Sequence, residues 1–129
     1  MHRSRIGVVL IDHPAAGYEA SADFWAGASG SPREQDRPTA EHPYESLRDF
    51  PGGVQLALQR IGDGTAPRVH LDIETDDVEA EIARVLALGA SMVDRREDYA
   101  ILADPGGVPF CVVPVQTGAA FDEHATSWP

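Results

Sequence analysis

Three titratable side chains alternate within one short stretch, Arg68-Val69-His70-Leu71-Asp72-Ile73-Glu74. Successive side chains of a strand point to opposite faces, so His70, Asp72 and Glu74 share one face while Val69, Leu71 and Ile73 share the other. An imidazole flanked by carboxylates can move a proton, hold a metal, or simply face water. Cys111 is the only cysteine. As a thiolate it would be a soft ligand or a nucleophile, whereas its setting in Phe110-Cys111-Val112-Val113 suits a small, inert strand residue. Gln55 and Gln59 lie on the polar side of a second alternating stretch and offer neutral hydrogen-bonding groups.

Other polar residues have simpler explanations. Asp76, three residues before Glu79, reads as the N-cap of a helix with a capping box. His13 precedes Pro14 and His42 precedes Pro43, in turns without paired ligand spacing. There is no Gly-rich phosphate loop, nucleophile elbow, CxxC pair or HExxH helix, which removes several enzyme classes.

The elements that must position these groups follow from periodicity. Ile6 to Ile11 is a nearly continuous apolar run and reads as a buried strand. A helix is expected from about Ala15 to Ala28, with Tyr18, Ala22 and Trp25 on its buried stripe and glycines ending it. Phe24 is expected in the core beside Trp25. Residues 31–42 carry two prolines and read as a long loop, a flap over a site. Tyr44 to Phe50 suggests a short edge strand and Val54 to Ile61 a half-buried one, before the His70 strand. The apolar face of that strand should be covered by helices. A second helix carries Val78, Ile82, Val85 and Leu86 on its apolar stripe and stops at Gly89. Strands over 91–94, 99–103 and 109–115 complete the pattern, and residues 116–129 show no clear period. Strand, helix, and two or three strands therefore occur twice. Phe50-Pro51-Gly52-Gly53-Val54 echoes Asp104-Pro105-Gly106-Gly107-Val108, as Gly27-Ala28-Ser29 echoes Gly89-Ala90-Ser91, which suggests a duplication.

Bulk properties bound the partners. The chain has 129 residues, 43% hydrophobic and 24% charged, enough for one domain with a real core. Its net charge of −11 works against nucleic acid and anionic membrane, which need Lys/Arg clusters. No apolar run has the length of a membrane span or the character of a signal peptide, and a lone cysteine fits a reducing, cytoplasmic setting.

The segments Arg68 to Ile73, Asp76-Asp77-Val78-Glu79-Ala80-Glu81, Leu88-Gly89-Ala90 and Leu102 to Val113 together resemble the second half of glyoxalase-like proteins. These belong to the vicinal oxygen chelate superfamily, with glyoxalase I, extradiol dioxygenases, fosfomycin-resistance enzymes and bleomycin-resistance proteins. The first half resembles them more weakly, through its strand, Asp12 and the helix ending Phe24-Trp25-Ala26-Gly27. The resemblance implies an α+β fold in which two tandem βαβββ modules, about 4–62 and 66–115, form one curled mixed sheet. That sheet is a cup with helices outside and the ligand inside. The domain would span 1–115, with 116–129 as a tail.

The resemblance also implies a site. His70, Asp72 and Glu74 would line the cup as candidate catalytic groups, and Gln55, Gln59, His70, Asp72 and Cys111 would contact ligand. Catalytic relatives hold one divalent metal (Zn, Ni, Fe or Mn), and His70 occupies a ligand place. Cys111 stands where a Glu is usual, Ile6 or Gly7 where a His is expected, and Ala57 is the repeat partner of Cys111. The expectation is thus a cytoplasmic, homodimeric, small-molecule-binding protein with an incomplete metal site. Two alternatives stay open. One is a metal-dependent lyase, isomerase or ring-cleaving dioxygenase. The other is an antibiotic-sequestering protein of the bleomycin-binding type, for which the acidic balance would favour a cationic drug.

Overall fold

A computed structural model describes all residues, 1–129. The chain is α+β, with strands β1 (His2–Pro14), β2 (Tyr44–Ser46), β3 (Gln55–Ile61), β4 (Arg68–Thr75), β5 (Ser91–Arg95), β6 (Ala100–Ala103), β7 (Pro109–Pro114) and β8 (Thr126–Trp128). Helices are α1 (Ala15–Ser29), α2 (Val78–Ala87) and α3 (Ala119–His124). None is long and apolar enough to cross a membrane. Two compact units result, Val9–Val69, and Met1–Val8 with His70–Pro129, so β1 contributes to both.

In the Val9–Val69 unit the strands run β2-β3-β1, with β2 antiparallel to β3. Tyr18 and Ala22 of α1 are buried with Ile11, Leu47, Leu56 and Leu58, and Trp25 packs against them, as the stripe at i, i+4 and i+7 requires. Ala16 and Gly17 (φ 99°) break the first turn, and Gly30 at φ 75° closes the helix by donating its N–H to Ala26 O. Phe24 departs from expectation. It is 62% exposed and meets the Trp25 ring edge-on at 5.1 Å, because its position falls off the buried stripe.

The 31–42 loop is tied down at Arg33. Its guanidinium donates to Glu45 through Nε (3.0 Å) and Nη2 (2.8 Å), and to Glu19 and Asp23 through Nη1. Tyr18 Oη donates to the same Glu45 carboxylate at 2.7 Å. Hydrogen bonding to Glu45 holds the Arg33 guanidinium well above its usual range, and burial followed by the Glu45 bond raises the Tyr18 phenol. The satisfied groups make this cluster a structural clamp.

In the other unit the order is β1-β4-β7-β6-β5, with β8 beside β1. β4 and β7 are parallel, whereas β5–β6 and β6–β7 are antiparallel. Ile82 and Val85 of α2 bury themselves with Ala100, Leu102 and Val112, and Ile73 and Val78 pack against them. Leu86, expected in this stripe, is 39% exposed. The N-cap is Asp77, whose carboxylate accepts from Ala80 N at 3.1 Å. Asp76 instead receives Arg3 N (2.8 Å) and Arg3 Nε (3.0 Å).

Two features of this unit differ from the sequence reading. The aperiodic tail is ordered: α3 buries Phe121, and β8 pairs antiparallel with the start of β1. Trp128 Nε1 donates to Ser4 Oγ at 2.8 Å, and Arg84 lies 3.9 Å over the indole. The faces of β4 are also inverted. Val69 and Leu71 are 55% and 38% exposed, and only Ile73 joins the helix-covered core. His70, Asp72 and Glu74 are the buried set.

Candidate functional site

Strand β4 presents His70 and Asp72 two residues apart, hence on one face, and the parallel register sets Asp72 opposite Cys111 of β7. His70 Nδ1 and Asp72 Oδ1 are 3.4 Å apart, an electrostatic contact longer than a good hydrogen bond. One ligand atom from each of His70, Asp72 and Cys111 falls within 4.8 Å of the others. His70 and Asp72 are nearly buried and Cys111 is half-buried. An imidazole, a carboxylate and a thiol thus converge where solvent screening is reduced, so each polar interaction there counts for more than on an open surface.

Glu74, next on the same face, is committed elsewhere. It is fully buried; Oε1 accepts from Gln116 N (2.8 Å) and Thr117 N (2.9 Å), and Oε2 from Thr117 Oγ1 (2.5 Å). Arg5 Nε lies 3.2 Å from Oε2. A carboxylate with this many donors is fixed in place, so Glu74 anchors the chain leading into α3 and is poorly placed to act as a mobile base. Gln55 and Gln59 sit half-buried on β3 of the Val9–Val69 unit, flanking buried Ala57. Asp12 is buried in that unit and meets Arg68 Nε at 3.1 Å.

Residues 8–113 match the glyoxalase-like domain. The chain belongs to the glyoxalase-like domain family. Solved structures share its fold. A hypothetical protein from Bacillus halodurans C-125 superposes with a TM-score of 0.65 at 14% identity, covering 90% of this chain and 97% of that one. Methylmalonyl-CoA epimerase from Mycobacterium tuberculosis gives 0.58 at 17% identity, covering 89% and 91%. A methylmalonyl-CoA epimerase in complex with methylmalonyl-CoA and NH4+ gives 0.58 at 18%, covering 92% and 98%. No curated protein matches the chain.

The glyoxalase-like fold raises the question of a divalent metal, and the residues answer it in two parts. The ligand set usual in catalytic relatives does not fit. A Cβ on Gly7 would lie 1.9 Å from Glu74 Oε2, so no histidine can stand there, and buried Ala57 offers no donor. Ile6, the other candidate for that histidine, is 52% exposed and apolar. The second half keeps His70, substitutes a thiol at Cys111 and adds Asp72 between them. Those three donors form a coherent ligand set by themselves.

Sequence reasoning missed the partners of these side chains. Nothing in the order of residues shows that Arg5 and Thr117 converge on Glu74, because both contacts join distant segments. The proximity of Cys111 to His70 depends on the β4–β7 register, which periodicity leaves undefined.

Proposed function

We propose that this glyoxalase-like protein binds a small organic molecule with the ligand's polar atoms against His70, Asp72 and Cys111, without the metal-ligand set of the catalytic relatives. The observation that carries this reading is the convergence of three different functional side chains from the neighbouring strands β4 and β7, two of them nearly buried. A site with few, well-placed polar groups is how small-molecule sites in proteins obtain orientation. Asp72 accepts hydrogen bonds and His70 can donate or accept, so the fitting ligand carries a hydroxyl or amine beside a carbonyl or second hydroxyl. The chain's net charge of −11 works against polyanionic ligands and in favour of neutral or cationic ones. The same reading takes the protein as a cytoplasmic homodimer, for which the support is the family alone.

Saturation-transfer NMR tests it, with chelator-treated protein and a panel of neutral diols, hydroxyketones, phenols and cationic amines. Binding members should lose at least about tenfold in affinity to Asp72→Asn and to His70→Ala, the equivalent of one ordinary hydrogen bond. A panel without binders, or binding indifferent to both substitutions, overturns the proposal.

A further inference from the structure

We propose that His70, Asp72 and Cys111 form a three-donor site for a thiophilic divalent cation of the zinc class, with the fourth coordination position left open. This goes beyond the ligand-binding reading while using the same side chains, and it replaces the ligand set that Gly7 and Ala57 rule out.

Geometry supports it first. Zinc lies about 2.3 Å from a thiolate and about 2.0 Å from imidazole or carboxylate, so neighbouring donors of a tetrahedral site are roughly 3.5 Å apart. His70 Nδ1 and Asp72 Oδ1, at 3.4 Å, already span one such edge. All three ligand atoms lie within 4.8 Å, which leaves about 1 Å for side-chain rotation to close around the ion at those bond lengths. Cys111 is half-buried as a residue and is not sealed in the core.

Charge balance supports it second. Thiolate, carboxylate and neutral imidazole together carry two negative charges, matching a divalent ion, whereas the same two anions side by side without a cation would repel in a poorly screened setting. Binding releases the thiol proton to solvent as the sulfur–metal bond forms, and no electron moves. The donor chemistry selects the ion. A thiolate favours Zn2+, Co2+ and Cd2+ and is a poor ligand for Mg2+, Ca2+ and Mn2+, which prefer oxygen. Glu74, nearest on the same face, is tied to Arg5, Gln116 and Thr117 and does not compete. Three protein ligands and an open position are the arrangement of a metal that accepts an exogenous oxygen.

The test uses the full chain, reduced and chelator-treated, titrated with Co2+ as the spectroscopic probe and with Zn2+ as competitor. One equivalent of Co2+ should bind with a thiolate-to-cobalt charge-transfer band and intense visible bands of low coordination number, and Zn2+ should bleach both while Mg2+ leaves them. Cys111→Ser should abolish the charge-transfer band, and Asp72→Asn should weaken binding at least tenfold, in proteins whose circular dichroism is unchanged. Absence of saturable Co2+ binding, a spectrum without the thiolate band, or a band that survives Cys111→Ser overturns the inference. Organic-ligand binding is measured separately on metal-free protein, so failure here leaves that reading standing, and failure there leaves this one.

Discussion

Gly7→Ala should be among the most disruptive single-methyl changes in this chain, and the reason is Glu74. The added Cβ would lie 1.9 Å from Glu74 Oε2, 2.5 Å from Cδ and 2.9 Å from Cγ. An ordinary carbon–oxygen contact is near 3.5 Å, so the carboxylate must retreat by about 1.5 Å. A flexible, solvated glutamate would do so cheaply. This one is fully buried and receives Gln116 N, Thr117 N and Thr117 Oγ1, with Arg5 beside it. Displacing it breaks several charge-assisted hydrogen bonds and pulls the carboxylate away from the largely buried Arg5 guanidinium. Overpacking costs about 1–3 kcal/mol and lost bonds to a buried charge add a similar amount, for a total of roughly 3–5 kcal/mol.

Urea denaturation measures this directly. With m about 1.5–2 kcal/mol per molar, the midpoint should fall by roughly 2 M. The decisive comparison is a double-mutant cycle with Glu74→Ala. Once the carboxylate is gone, the same methyl enters vacated space, so Gly7→Ala should cost less than about 1 kcal/mol in that background, a coupling of about 2–4 kcal/mol. A single mutant within about 0.5 kcal/mol of wild type would refute the reasoning, at the margin of ordinary surface changes. Equal losses in both backgrounds would refute it too, since they would place the problem in the backbone of β1.

Two further predictions concern the same unit. Burial pushes the Glu81 carboxyl up, but hydrogen bonds from Arg84, His2 and Ser4 outweigh it and hold the group below its ordinary value of 4.5. Its stabilising contribution is therefore complete above that pH and disappears as pH falls through the lower, folded-state value. Glu81→Gln should lose about 1–3 kcal/mol at neutral pH, by the worth of hydrogen bonds to a charged group, and the gap from wild type should narrow in acid; a gap that widens below pH 4 would contradict the assignment. Asp77→Ala should remove the α2 cap to Ala80 N for about 1 kcal/mol, while Asp76→Ala should leave helix capping intact and instead release Arg3. Chemical denaturation of the two variants, with amide exchange at Ala80, separates them, and faster Ala80 exchange in the Asp76 variant would refute the cap.

How much was legible in the sequence follows from the range of each interaction. Tyr18, Ala22 and Trp25 were placed correctly because helix periodicity is local, and β5 to β7 because turns such as Asp104-Pro105-Gly106-Gly107 punctuate them; Asp104 Oδ1 accepts from Gly106 N and Val108 N. The N-cap slipped by one residue, since Asp76 and Asp77 are equivalent by type and only the distant Arg3 distinguishes them. The ordered tail was invisible for a similar reason. Residues 119–128 have little pattern of their own, and it is Phe121 under Arg3 and Trp128 between Ser4 and Arg84 that fix them.

The harder case is β4, where alternation gave the right faces and the wrong environment. Hydrophobicity says that Val69 and Leu71 go inside, yet they are exposed and His70, Asp72 and Glu74 are not. Burying a carboxylate without partners is strongly unfavourable, so the arrangement requires compensation on that face. At Glu74 the compensation is present and made of the protein's own groups, Arg5, Gln116 and Thr117. At Asp72 it consists of His70 at 3.4 Å, beside a thiol. The two carboxylates sit one pleat apart under the same constraint of burial and meet it differently. The first is filled by structure; the second is surrounded by groups that also bind ions and oxygenated molecules. That contrast between Glu74 and Asp72, more than any family resemblance, is the physical argument for the site proposed at His70, Asp72 and Cys111.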